Sequence, residues 1–153
     1  MKILIMSDSH GSVSNMLTAV ERESPGVILH LGDNIGDCSD VELMYPDIML
    51  RAVRGNCDRN YQGLDIDEFV LEDKRFVMTH GHLFNVKMGR DSLKRAGTQR
   101  SADILLFGHT HTPHYSVLNE MIILNPGSIG AGTKAYAILE IKNGEVVHEF
   151  KTL

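Results

Sequence analysis

Five times along this chain a short, mostly apolar run gives way at once to glycine and to residues with carboxylate, amide or imidazole side chains. Lys2 to Met6 is followed by Ser7-Asp8-Ser9-His10-Gly11, Val27 to Leu31 by Gly32-Asp33-Asn34, and Ile48 to Val53 by Arg54-Gly55-Asn56-Cys57-Asp58. Arg75 to Thr79 runs into His80-Gly81-His82, and Ile104 to Phe107 into Gly108-His109-Thr110-His111. Runs of this length read as strands, and the wholly apolar ones as strands buried on both faces. In an α/β sheet, ligands gather in the crevice beyond the carboxyl ends of the strands. The pattern therefore predicts a fold that brings Asp8, His10, Asp33, Asn56, His80, His109 and His111 to one place.

The segments between the runs supply the rest of the expected architecture. Asn15 to Glu23 reads as a helix, with Met16, Leu17 and Val20 on one face and Glu21, Arg22 and Glu23 on the other, stopped by Pro25-Gly26. Strand, helix and strand in succession predict a parallel pair with a right-handed crossover. A second helix is expected over Asp40 to Tyr45. The second half reads mostly as hairpins. Glu68 to Glu72 and Arg75 to Thr79 turn at Asp73-Lys74, and strands are expected at Tyr115 to Leu118, Met121 to Leu124 and Tyr136 to Ile141. Asn143-Gly144 then turns the chain into Val146 to Phe150. Gly89 to Gln99 is a basic helix. The expectation is an α/β fold of two mixed β-sheets packed face to face with helices outside. With 153 residues and no repeat or linker, residues 1–153 read as one domain.

Carboxylate, amide and imidazole donors without a thiolate cluster suit Mn²⁺, Fe²⁺, Ni²⁺ or Zn²⁺. Seven candidate ligands exceed what one ion takes. Two ions about 3.5–4 Å apart, bridged by a carboxylate, would use them all. The net charge of -5 argues against a strong nucleic-acid-binding surface. It does not argue against a small phosphate ester, because bound cations supply positive charge locally. Cys38 and Cys57 make no disulfide framework, no apolar run approaches the roughly 20 residues that span a bilayer, and no signal peptide is visible. The expectation is a cytoplasmic protein without membrane contact.

Taken in order, Asp8-x-His10, Gly32-Asp33, Gly55-Asn56, His80-Gly81 and Gly108-His109-x-His111 resemble the motifs of the calcineurin-like metallophosphoesterase superfamily. The resemblance runs from about Lys2 to Ser128. Length and the Asn125-Pro126-Gly127-Ser128 segment are similar to its small bacterial and archaeal phosphodiesterase branch. The resemblance implies a four-layer αββα sandwich and two divalent metal ions, with Mn²⁺ the first choice. It places Asp8, His10 and His111 on the first metal, Asn56, His80 and His109 on the second, and Asp33 between them. It implies a metal-bridging hydroxide that attacks phosphorus in line, with Asp33, Asn56 and His80 in the catalytic machinery. His82 belongs beside them, either behind the ligands or facing substrate. The implied substrate is a small phosphate ester, most simply a diester, and a homodimer or homotetramer is plausible by the same resemblance. Many superfamily members carry, directly after the Asn, a histidine that protonates the leaving group. This chain has Cys57 there, as the small phosphodiesterase branch also lacks that histidine. The alternative function is a non-catalytic scaffold of the same fold, similar to the retromer subunit vacuolar protein sorting 29. The presence of every implied ligand favours the enzyme.

Other residues have plainer expectations. His30 reads as a core histidine with its hydrogen bonds satisfied, and His114 and His148 as surface or strand residues, with His114 near the rim of the metal loop. The basic segment with Lys87, Arg90, Lys94, Arg95 and Arg100 reads as a solvated face, with a phosphate-binding or partner-binding role as the alternative. Asn125 to Ser128 is open between a simple turn and a loop bordering the site.

Overall fold

The alternating burial of the first strand sets the layers. In β1 (Lys2–Met6), Ile3 and Ile5 pack in one apolar cluster and Leu4 and Met6 in another, and all four are fully buried. A strand with apolar residues on both faces needs cover on both sides. The computed structural model, which describes residues 1–153, supplies it.

The first sheet has the order β10-β9-β1-β2-β3, and the second β4-β5-β6-β8-β7. In the first, β1, β2 (Val27–His30) and β3 (Met49–Ala52) are parallel, while β9 (Ala135–Lys142) runs antiparallel to β1 and to β10 (Glu145–Thr152). In the second, β5 (Lys74–Thr79), β6 (Ile104–Leu106) and β8 (Met121–Asn125) are parallel, with β4 (Ile66–Leu71) and β7 (His114–Leu118) antiparallel at the edges. The largest apolar cluster joins Ile3, Ile5 and Leu29 of the first sheet to Phe76, Met78, Leu106 and Leu124 of the second. Helices α1 (Val13–Glu23) and α2 (Cys38–Met44) pack on the outer face of the first sheet through Met16, Ala19, Val20 and Val41. Helix α3 (Asp91–Gln99) packs on the second through Leu93, with Gly97 close against Leu105 and Met121. The layers are thus helix, sheet, sheet, helix, as expected.

Three details refine the sequence reading. The expected hairpins are present as β4–β5, β7–β8 and β9–β10, but β5, α3 and β6 also form another strand–helix–strand crossover and β8 extends that parallel run. Ile104 to Leu106 and Met121 to Leu124 are apolar throughout, so nothing in them reports strand direction. The last hairpin belongs to the first sheet, where β9 closes beside β1. The turn before β5 is Glu72-Asp73, the two residues with positive φ (50° and 60°), so Lys74 already pairs with Leu71. No helix is long and apolar enough to cross a membrane.

Candidate metal centre

Each candidate residue lies just beyond a strand, and the two sheets bring the strand ends together. β1, β2 and β3 deliver Asp8, His10, Asp33 and Asn56, and β5 and β6 deliver His80, His109 and His111. One carboxylate oxygen of Asp8 and a ring nitrogen from each of His10 and His111 lie within 4.8 Å of one another. Donors of Asp33, His80 and His109 form a second such group. His10 and Asp33 link the two, with Nε2 of His10 3.9 Å from Oδ1 of Asp8 and 3.9 Å from Oδ2 of Asp33.

The donors are aimed and incomplete. Asp8 is fully buried and accepts Ser7 Oγ–H and the His109 amide on Oδ2 at 2.5 and 3.2 Å. Its Oδ1 is buried with no hydrogen-bond partner and lies 3.0 Å from His111 Nε2. Asn56 Oδ1 is likewise buried and unpartnered. Leaving such an oxygen unsatisfied costs on the order of 1–3 kcal/mol. His80 Nδ1 donates to the Leu31 carbonyl at 2.7 Å, which leaves Nε2 as the bare nitrogen, 3.1 Å from His109 Nδ1 and 3.5 Å from Asp33 Oδ1. Hard oxygens with nothing to accept from, facing bare imidazole nitrogens, are the donor set that borderline divalent cations take. The residues fit the ions.

The electrostatics agree. Burial alone would raise the Asp33 carboxyl, but His80 and the Cys57 amide hold it well below the ordinary carboxylate range. Burial works against protonation of His80, yet Asp33 and Asp8 push its pKa up, so the space between these carboxylates attracts positive charge. Burial, the neighbouring His80 and Lys87 push His109 down to about 4, so it stays neutral and free to bind a cation.

The loops are held in a demanding shape. Asp8, His10, Asp33, His109 and His111 all have left-handed backbone, with φ between 46° and 68°. Such residues persist only where the surroundings over-determine them. Asp58 accepts the amides of Asp33, Gly55 and Ile35 at 2.8, 2.8 and 3.0 Å and fixes the Asp33 loop. Asp37 accepts Ser9 Oγ–H and the Gly11 amide at 2.7 and 2.8 Å. Gly55 passes so close to Asp33 that a Cβ there would collide with its carboxylate. The open question about Asn125 to Ser128 resolves in favour of the site. Asn125 Nδ2 donates to Gly108 O and Thr110 Oγ1 at 2.8 and 3.0 Å, and Ser128 Oγ donates to Asp8 O at 2.9 Å.

Not every candidate joins the two clusters. His82 stands beside them, its ring 5.4 Å from that of His80, and its buried Nδ1 is unpartnered. It lines a cleft of about 360 Å³ with Arg54, Asn56 and Arg59. Cys57 is exposed at the centre, and burial together with the Asp33 carboxylate pushes its thiol pKa up. His30 is the fully buried histidine expected, with Nε2 3.2 Å from Ser9 Oγ and Nδ1 accepting the Gly32 amide at 3.3 Å. The sequence reading gave no role to Asp37, Ser7 or Ser9, and none to Asp58 beyond its position after a strand. Ser7 donates to the adjacent Asp8, but Asp58 reaches Asp33 and Ile35, and Asp37 reaches Ser9 and Gly11, in other loops, which no local pattern announces.

Comparison with known proteins places this geometry. Residues 1–144 match the model of the calcineurin-like phosphoesterase superfamily domain. The chain is 33% identical to the probable metallophosphoesterase YsnB of Bacillus subtilis, covering 98% of this chain and 90% of that one. It is 28% identical to phosphodiesterase YfcE of Escherichia coli K12, over 92% and 88%. Among solved structures, a conserved Streptococcus pneumoniae TIGR4 protein described as a predicted phosphoesterase superposes with a TM-score of 0.81 at 29% identity, covering 99% and 88%. Vps29 of Entamoeba histolytica complexed with zinc superposes with a TM-score of 0.75 over 99% of each chain, at 21% identity, a likeness of fold.

Proposed function

This chain belongs to the calcineurin-like phosphoesterase superfamily, and from that premise we propose that it is a metal-dependent phosphodiesterase with two divalent ions. The observation that carries the proposal is the pair of buried, unpartnered oxygens, Asp8 Oδ1 and Asn56 Oδ1, at a centre already crowded with imidazole. Asp8, His10 and His111 would hold one ion and Asn56, His80 and His109 the other, with Asp33 between the two groups, Oδ2 towards His10 and Oδ1 towards His80. Divalent ions bound there supply Lewis acidity, lowering the pKa of a water and drawing charge from phosphoryl oxygens.

The chain's own residues do the rest. The Leu31 carbonyl holds the proton of His80 on Nδ1 and so keeps Nε2 turned inward. The Cys57 amide holds Asp33 Oδ1 in place at 2.9 Å. Burial and the neighbouring His80 lower the pKa of His82, whose neutral ring faces the cleft shared with Asn56 and Arg59 and orients the phosphate or its leaving group. The raised thiol of Cys57 keeps its proton on Sγ at neutral pH and is a poor acid towards an alkoxide. The leaving group therefore departs carrying its own charge, which favours activated diesters over alkyl monoesters. Mn²⁺ is the ion we would supply first.

The test is hydrolysis of bis-p-nitrophenyl phosphate by chelator-stripped protein with and without Mn²⁺, beside Asp33→Asn. Metal-dependent turnover that falls by on the order of 10³ or more in the variant is expected, because the variant loses the shared carboxylate. No turnover with Mn²⁺, Fe²⁺, Ni²⁺ or Zn²⁺ in folded protein would sink the enzyme reading and favour a scaffold.

A further inference from the structure

We propose that the groove on the Thr110 side of the metal centre is an anion subsite, so that the preferred substrate is a phosphodiester with a further phosphate on one arm. This deepens the phosphodiesterase reading and rests on it.

The groove holds about 400 Å³, enough for a nucleoside-sized arm. Lys87 and Arg90 line it, facing Thr110, Thr112 and His114. Thr110 sits between His109 and His111 in the chain, so the groove borders the loop that carries these two candidate ligands. No carboxylate lines it. The cleft on the Asn56 side differs, because it contains Asp58 and Asp65, and Asp65 already neutralises Arg54 at 2.8 Å. The cations of this chain that have carboxylate partners are Lys2, Arg51, Arg54, Arg100, Lys142 and Lys151. Lys87 and Arg90 are not among them. In a chain of net charge -5, two cations without carboxylate partners around one carboxylate-free groove favour an anion there.

Position ties the groove to the reaction. Its wall includes Thr110, which the chain places between the candidate ligands His109 and His111. The threonine wall is preformed, since Asn125 fixes Thr110 Oγ1 and Thr110 Oγ1 accepts the Thr112 amide at 3.4 Å. A diester seated at the metals sends out two arms. An uncharged arm in this groove would leave Lys87 and Arg90 without partners. A second phosphate there would accept from Lys87 and from the guanidinium fork of Arg90.

The experiment compares p-nitrophenyl thymidine 5′-phosphate with the same ester carrying a 3′-phosphate, on Mn²⁺-loaded protein. Beside it, binding of thymidine 3′,5′-bisphosphate and of thymidine 5′-monophosphate is measured calorimetrically in metal-free protein. A preference of roughly tenfold or more for the 3′-phosphorylated ligand is expected in both kcat/KM and Kd at low salt, shrinking as salt rises. Lys87→Gln with Arg90→Gln should erase the preference. Arg22→Gln with Lys134→Gln, equal in charge but outside the groove, should keep it. Equal handling of the two esters, with both hydrolysed, overturns the subsite and leaves the phosphodiesterase standing. Equal affinity for the two nucleotides overturns it even if neither ester is hydrolysed. Bisphosphate preference without turnover would uphold the subsite and overturn the enzyme.

Discussion

His30 shows what a single residue under the site does for stability. Burial outweighs the neighbouring Asp8, Asp58 and Asp37 and pushes its pKa down to about 4, while an exposed histidine titrates near 6.5. The folded state therefore refuses a proton that the unfolded chain accepts. Stability from the neutral ring is complete above pH 6.5, is lost as pH falls from 6.5 towards 4, and changes little further below that. A depression of this size corresponds to about 3 kcal/mol. In chelator-treated protein the melting temperature should fall steeply across this window, and His30→Gln should flatten the slope. An unchanged slope in the variant would exclude His30 as its source, leaving His109, which burial and His80 also push down to about 4. The candidate donors themselves were legible, because each follows a strand that the apolar pattern marks. Their partners were not. Asp58 reaches Asp33 across 25 positions and Ser128 reaches Asp8 across 120, and separations of that kind leave no local periodicity.

Elements carry the site through their ends, and the end of β8 is the clearest case. Asn125 is the last residue of that strand and is fully buried. Its amide ties the Gly108–Thr110 loop, and its Oδ1 accepts the Gly127 amide at 2.8 Å. Asn125→Ala would free His109 and His111 from their frame while removing no candidate ligand. Groups behind metal ligands are typically worth 10–100-fold in affinity or activity. A loss of that order in Mn²⁺ affinity, with near-native circular dichroism, is the expected result. Unaltered affinity would show that the loop needs no such tie. The strands were readable from their apolar runs, but their directions in the second sheet were not, since parallel and antiparallel strands buried on both faces have the same composition.

The metal centre joins the whole molecule, because its candidate ligands come from both sheets. Asp8, His10, Asp33 and Asn56 follow strands of one, and His80, His109 and His111 follow strands of the other. Ions held between them would cross-link the two layers and would bind the folded chain only. At a hundred times its Kd such a ligand adds about 2.7 kcal/mol, which for a chain of this size is about 5–10 °C in Tm. Differential scanning calorimetry should show that rise with Mn²⁺ and its loss in the presence of chelator. A Tm indifferent to metal would count against a centre shared between the sheets.

The left-handed turns that present Asp8, Asp33 and His109 are held largely by the side chains of Asp58, Asn125 and Ser128, none of them a proposed ligand, with the Asp8 carboxylate also accepting the His109 amide. Shape and chemistry are thus written largely in different residues and can in large part be inherited separately. A descendant could lose its imidazoles one at a time and keep every loop in place for some new use. Conversely, a chain that kept all the ligands but lost Asp58 or Asn125 would have the right alphabet and no sentence.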